Sequence, residues 1–277
     1  MPVLARQRFF SKGLVAGLVL ATSTIAAQHQ SGEPDVPRSR YAPVNGLSLY
    51  YEIHGSDNGV PLILLHGALG AAEMFSDILP SLSKDRRVIA VEMQAHGHTA
   101  DVNRPLTIEG MADDVASLIE HLKVKRVDLM GYSMGGAVVL HVAVRRPDLV
   151  RRIVIVSAPF KRAGWYPEVI KGMEQMGAGA AEPMKQTSLY RMYAAVTPRP
   201  SDWPVLLTKI GELVRKDYDW SKELSFVKAS TLIVIGDATP SALHMPSSFS
   251  SASEAASAMV AGTDRECLER GWRSCRV

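Results

Sequence analysis

The sequence predicts an α/β fold: a doubly wound, mostly parallel sheet with helices on both faces and a helical lid insertion. Three observations predict it. Short, unbroken apolar runs recur along the chain. Segments with helical spacing lie between them. One long stretch, 160–226, breaks the alternation. Strand–helix alternation with short connections implies parallel strands joined by right-handed crossovers.

The elements come in order. After a turn at Asn45-Gly46, Ser48 to Ile53 (SLYYEI) alternates enough to be an antiparallel strand. Val60 to Leu65 (VPLILL), Arg87 to Met93 (RVIAVEM), Val127 to Met130 (VDLM), Arg152 to Val156 (RIVIV) and Thr231 to Ile235 (TLIVI) are apolar runs. Runs of this kind fit parallel strands covered on both faces. Thr107 to Leu122 places Ile108, Met111, Val115, Leu118, Ile119 and Leu122 at helical spacing, with Thr107 as N-cap. Met134 to Val144 is small and apolar throughout, as suits a helix lying on a sheet. The 160–226 insertion is rich in Met and aromatic residues, including Trp165, Tyr166, Tyr190, Tyr193 and Trp203. They either line an apolar pocket under a lid or form the insertion's own small core, and the two are compatible. Gly177 to Ala181 (GAGAA) reads as flexible. No internal repeat is visible.

Composition narrows the class. The chain of 277 residues is 47% hydrophobic and 21% charged, with a formal net charge of +3. That suits a globular protein and is too weakly basic for a nucleic-acid surface. Cys267 and Cys275 have no Cys or His cluster at metal-ligand spacing around them, and nothing supports a disulfide between them.

The N-terminus reads as an export signal, residues 1–27. Arg6, Arg8 and Lys12 form a basic region, Gly13 to Ala27 an apolar one, and Thr24-Ile25-Ala26-Ala27 offers small residues for cleavage. The expected destination is periplasmic or secreted. An uncleaved anchor, or a cytoplasmic chain with a misplaced start, are the alternatives. The apolar run is too short for a stable membrane span. Residues 28–40 read as a linker, 41–237 as the core with its lid, and 238–277 as a tail without a core pattern.

Gly131-Tyr132-Ser133-Met134-Gly135 stands where a strand turns into a helix and matches G-x-S-x-G. The turn forces the Ser into strained backbone geometry. A Cβ at either Gly would collide with the neighbouring strand or helix. The Ser oxygen is thereby held at a helix N-terminus, where backbone N–H groups and the dipole favour negative charge. After the first buried strand comes His66-Gly67-Ala68-Leu69-Gly70, and after the next Gln94-Ala95-His96-Gly97-His98.

In these motifs and their order, the chain resembles the α/β-hydrolase superfamily from about Tyr41 to Asp237. The resemblance implies that Ser133 is the nucleophile. It also implies an oxyanion hole from the N–H groups of Ala68 and Met134, with Leu69 replacing Ala68 if the turn is shifted. His66 would brace the loop. The family often shows Asp-x-x-Gly-His-Gly-x-Ser after the second strand. This chain has Glu92, Ala95 and Thr99 there, so His96 reads as structural. A Ser nucleophile argues against dehalogenases and epoxide hydrolases of this fold, which use Asp. The implied substrate is a small apolar ester, lactone or similar acyl compound. No cofactor or metal is implied, and the oligomeric state is not.

The triad pattern then fails. The family order is Ser, acid, His, with the acid usually three residues after the Gly that closes the strand matching Thr231 to Ile235. That position is Thr239. Asp237 is the nearest carboxylate but stands out of place. The one later His, His244, leaves no room for a helix and strand before it, and no apolar strand run appears from 238 to 277. No catalytic His is identified.

A reading-frame change near Ala238 accounts for this. If Ala238 to His244 is written GCG ACT CCG TCC GCC CTG CAC, reading from the last base of the Ala238 codon gives Asp-Ser-Val-Arg-Pro-Ala, and the next triplet permits His. Further on the same frame permits Ala-Val-Glu-Phe-Phe, then Leu-Gly-Gly-Gly. Near residues 270–276 it permits Arg-Leu-Ala-Val-Leu-Pro-Gly, an apolar strand. The hidden Asp falls in the acid slot. On this reading the last strand and helix are missing, an edge is left open, and hydrolysis is weak or absent. A non-catalytic binding protein on the hydrolase scaffold, and an acyltransferase or perhydrolase, are the other function classes.

Overall fold

The computed structural model describes residues 38–234, all within one compact unit. Residues 1–37 and 235–277, and with them the expected signal, most of the linker, Asp237 and the tail, lie outside the described residues.

Strands β1 (Arg38–Val44) and β2 (Leu47–His54) form a hairpin. Asn45 and Gly46 both have positive φ, 47° and 81°, as a tight hairpin turn matched to strand twist requires. Arg38, Ser39 and Arg40 belong to this strand, so the expected linker 28–40 overlaps it. Arg38, Ser39 and Arg40 pair with Ile53, Glu52 and Tyr51. Their exposed, polar side chains hid the strand, because only alternate positions of β1 from Ala42 on face the core.

The parallel strands are β3 (Leu62–Leu65), β4 (Val88–Val91), β5 (Val127–Tyr132), β6 (Val150–Val156) and β7 (Ser230–Val234). The sheet order is β1-β2-β4-β3-β5-β6-β7, with β2 antiparallel to both neighbours. Every residue of β3 and β4 is buried, which explains their unbroken apolar sequences. β7 departs from that expectation. Among the described residues it forms the end of the sheet, with Ser230, Thr231 and Ile233 exposed.

Helix α1 (Leu79–Leu82) is a single turn. Helix α2 (Ile108–His121) starts where the Thr107 hydroxyl accepts the Gly110 N–H at 2.9 Å. It buries Ile108, Met111, Val115, Leu118 and Ile119. Helix α3 (Met134–Arg145) packs on β5 and β6. The insertion between β6 and β7 holds α4 (Pro167–Glu174), α5 (Ala181–Met184), α6 (Ser188–Val196) and α7 (Trp203–Arg215).

The insertion has a core of its own. Trp203 is fully buried, and its indole N–H donates to the Ala181 carbonyl at 3.0 Å. The rings of Tyr190 and Tyr193 lie 5.3 and 5.1 Å from it, with Leu206, Leu207 and Ile210 buried along α7. Of the aromatic residues singled out in the sequence, Tyr193 and Trp203 are core and Tyr166 is exposed. The Gly177 to Ala181 stretch forms a short 3₁₀ turn, Ala178–Ala180, that ends on the buried Ala181.

Candidate functional site

The site lies where the sheet order reverses. β3 leads on to β4 on one side, while β5 lies on the other. Loops at the carboxyl ends of strands flanking such a point form the crevice of an open α/β sheet. Leu65, the last residue of β3, is in register with Gly131 of β5. The loops after these strands, Gly67 to Gly70 and Ser133, are therefore neighbours.

Ser133 has φ +51° and ψ −117°. A left-handed Ser of this kind costs on the order of 1–3 kcal/mol and persists only when its surroundings dictate it. Here both sides do. Its N–H donates to Val156 O at 2.8 Å, and its carbonyl accepts from Gly136 N at 2.9 Å. A Cβ on Gly131 would strike Gly135 O and stand 2.6 Å from Gly136 N. A Cβ on Gly135 would strike Leu65 O and stand 2.6 Å from His66 O. The first Gly makes room for the helix and the second for strand β3. Gly136 continues this close packing against the Ala158 side chain.

Beside Ser133, the backbone N–H groups of Ala68 and Met134 have no hydrogen-bond partner among the described residues. Met134 is the first residue of α3, where N–H groups have no acceptor within the helix. In the β3 loop, Leu69 N–H donates to His96 Nε2 at 3.1 Å and Gly70 N–H to Gly67 O at 3.1 Å. The Leu69 amide is thus taken, and the Ala68 amide is left.

Two buried histidines hold these loops. His66 Nδ1–H donates to Gly67 O at 2.7 Å, and its Nε2 accepts Met93 N–H at 3.1 Å. His96 Nδ1–H donates to Gln94 O at 2.8 Å while its Nε2 accepts from Leu69. Each ring is neutral, with both nitrogens engaged. Burial pushes His66 down to about 3, helped by the nearby His96 ring, which disfavours a second proton there, and burial pushes His96 down to about 4.

Glu92, which the sequence shows only as a departure from the family's Asp, braces the turn after β4. It is 2% exposed. Its carboxylate accepts Ala72 N–H at 3.1 Å, His98 N–H at 2.6 Å and His98 Nδ1–H at 3.0 Å. Burial raises its pKa, and these donors act against that rise. A Cβ on Gly97 would overlap this carboxylate. Thr99 Oγ1 accepts Tyr50 N–H at 2.9 Å and donates to Glu92 O at 2.7 Å, which fixes the same turn. The available signal was an acidic residue inside an otherwise apolar run, followed by Gly and two His.

The insertion is tied to the loop after β4. Lys209 Nζ donates to Asp101 Oδ2 at 2.6 Å, Arg104 O at 2.7 Å and Val102 O at 2.9 Å. Arg104 in turn pairs with Asp114 of α2 and donates to Gln94 Oε1 at 2.6 Å. A crevice lined by Thr99, Asp101, Tyr193, Arg199 and Leu206 runs between insertion and loop.

Among the described residues no His, Asp or Glu hydrogen-bonds Ser133 Oγ. His54 and His98 are engaged with Glu52 and Glu92. His141 belongs to α3, and its ring is edge-on to Trp220 at 4.6 Å. No group of three potential metal ligands occurs among the described residues. No helix among them is long and apolar enough to cross a membrane.

The family model for the alpha/beta hydrolase fold matches residues 60–196, the span from β3 through both loops and the Ser133 turn into α6. The chain belongs to the α/β-hydrolase superfamily. It is 31% identical over 132 residues to an uncharacterized hydrolase, YugF, of Bacillus subtilis, covering 47% of this chain and 48% of the relative. To the sn-1-specific diacylglycerol lipase ABHD11 of Danio rerio it is 31% identical over 160 residues, 54% of this chain and 49% of the relative. The matches thus span about half of these relatives' length. Among solved structures, an enol-lactonase from Burkholderia xenovorans LB400 superposes with a TM-score of 0.57 at 24% identity, over 78% of this chain and 87% of that one. A bacterial membrane phospholipase A gives 0.62 at 19% identity, over 80% of this chain and 75% of that one. These superpositions share the fold with this α/β hydrolase. An epoxide hydrolase superposes as well, with a TM-score of 0.59 at 19% identity, which again speaks to the fold alone.

Proposed function

We propose that this α/β hydrolase derives from a serine hydrolase acting on a small apolar ester, lactone or related acyl bond. We further propose that the present chain is impaired in that reaction. The observation that carries the first part is the Ser133 turn, with a left-handed Ser and two unpaired N–H groups, on Ala68 and Met134, at the ends of adjoining strands.

In the intact reaction a His takes the Ser133 proton as Oγ attacks the acyl carbonyl carbon. The N–H groups of Ala68 and Met134 hold the tetrahedral oxyanion. The alcohol leaves with the proton returned by the His, and water then releases the acyl group from Ser133. Relatives named as lipase, carbamate hydrolase and 2-hydroxymuconate semialdehyde hydrolase differ in substrate, so they support the class and not a compound.

The impairment rests on the base and the acid. No described histidine hydrogen-bonds Ser133, with His54, His66, His96 and His98 engaged by other groups, and Asp237, the candidate acid, stands out of place relative to the family slot at Thr239. A reading-frame change near Ala238 would permit an Asp at that slot and an apolar strand further on. Loss of such partners removes orders of magnitude of rate. Export through residues 1–27 remains part of the proposal. Sequencing the gene through codon 238 and past the stop tests the frame reading. A His codon soon after the stop in the other frame is expected, and its absence sinks the idea. A non-catalytic ligand-binding role is the reading left if the frame proves continuous and a fluorophosphonate probe leaves Ser133 unlabelled.

A further inference from the structure

The two edges of the described sheet are finished differently. β1 ends one side, and its sequence RSRYAPV carries Arg38, Arg40 and Pro43. Charges and proline are common devices that stop an edge strand from pairing with another chain. β7 ends the other side, and its sequence STLIV carries neither. It pairs with β6 in unbroken register from Ser230 to Val234, so no bulge turns it away. Ile233 is 60% exposed in a sheet whose inner strands β3 and β4 are wholly buried. Leu224 and Phe226, in the turn leading into β7, are exposed as well.

β7 therefore has the composition of a covered strand and, among the described residues, the position of an edge. The sequence beyond it offers no matching partner. Residues 238–277 are rich in Ser and Ala and contain no apolar strand run. A second β7 does complement it. Centred on Leu232, an antiparallel pair sets Thr231 of each copy opposite Ile233 of the other, and Ser230 opposite Val234. Thr and Ile are β-branched residues that favour strands, and an uncharged strand meets its copy without repulsion. The contact is closed by a two-fold axis, so it ends at two chains.

We propose that β7 is a self-association surface, pairing antiparallel with β7 of a second copy of this chain. The proposal rests on the reading, given under Proposed function, that the strand which would cover β7 is lost from the tail.

Light scattering of the full chain at micromolar concentration tests it, beside Ile233→Lys, Thr231→Lys and, on the guarded edge, Tyr41→Lys. The expected result is a mass of two chains for the parent and for Tyr41→Lys. Either β7 variant is expected to read as one chain with an unchanged circular dichroism spectrum. A monomeric parent overturns the proposal, as does association that survives both β7 substitutions. Amide exchange at Leu232 to Val234 tells which premise failed in a monomer. Protection there means that the tail covers β7, and rapid exchange means that an open edge simply does not pair.

Discussion

Leu69 N–H donates to His96 Nε2 at 3.1 Å, and this bond decides which amide of the β3 loop stays free. His96 accepts only as the neutral tautomer with its proton on Nδ1, which the bond from Nδ1–H to Gln94 O enforces. Burial favours the same state, so geometry and titration agree.

Acid should therefore loosen the site. The folded-state values of His66 and His96, about 3 and about 4, lie below the ordinary histidine value of 6.5. A depressed histidine stabilises the fold fully above its unfolded value. That contribution is lost as pH falls from about 6.5 towards the folded values, because the unfolded chain binds more protons. Urea midpoints measured between neutral pH and about pH 4.5 should fall steadily. His96→Gln should lower the neutral midpoint and flatten the slope. A slope unchanged in His96→Gln would contradict this role of the ring.

Gly135→Ala tests the close approach of α3 to β3. The added methyl meets the Leu65 and His66 carbonyl oxygens, which are fixed in backbone. A loss of about 2–3 kcal/mol of stability, or failure to fold, is expected from such overpacking. Gly172→Ala is the control, since nothing lies within 4 Å of its added methyl, and it should be neutral or slightly stabilising.

Lys209→Met removes three hydrogen bonds between α7 and the 101–104 loop and leaves Asp101, 11% exposed on its side chain, without that cation. About 1–3 kcal/mol should be lost. Hydrogen exchange should rise in α7 and in residues 101–104 while β3 to β6 stay protected. Equal deprotection of the whole sheet would show that the insertion is not a separable unit.

Much of this was legible in the sequence. The runs of β3 to β6, the Thr107 cap and the Ser133 turn each came from a local rule. Residues 38–40 were missed because an edge strand of Arg and Ser has no apolar pattern. An open edge was expected from the lack of an apolar strand run after residue 238, but which side chains of β7 are exposed needed the fold. Glu92 escaped because a buried carboxylate is made tolerable by Ala72 and His98, donors that only the fold brings near. That the Leu69 amide is bonded to His96 likewise needed the fold.

Turnover of p-nitrophenyl acetate by this chain, beside Ser133→Ala, tests the central claim most directly. If Ser133 is set as a nucleophile without an acid and base in frame, the two proteins should not differ. Restoring the frame at codon 238 should then give strong turnover that Ser133→Ala abolishes. Turnover by the unrestored chain that Ser133→Ala abolishes would contradict the claim.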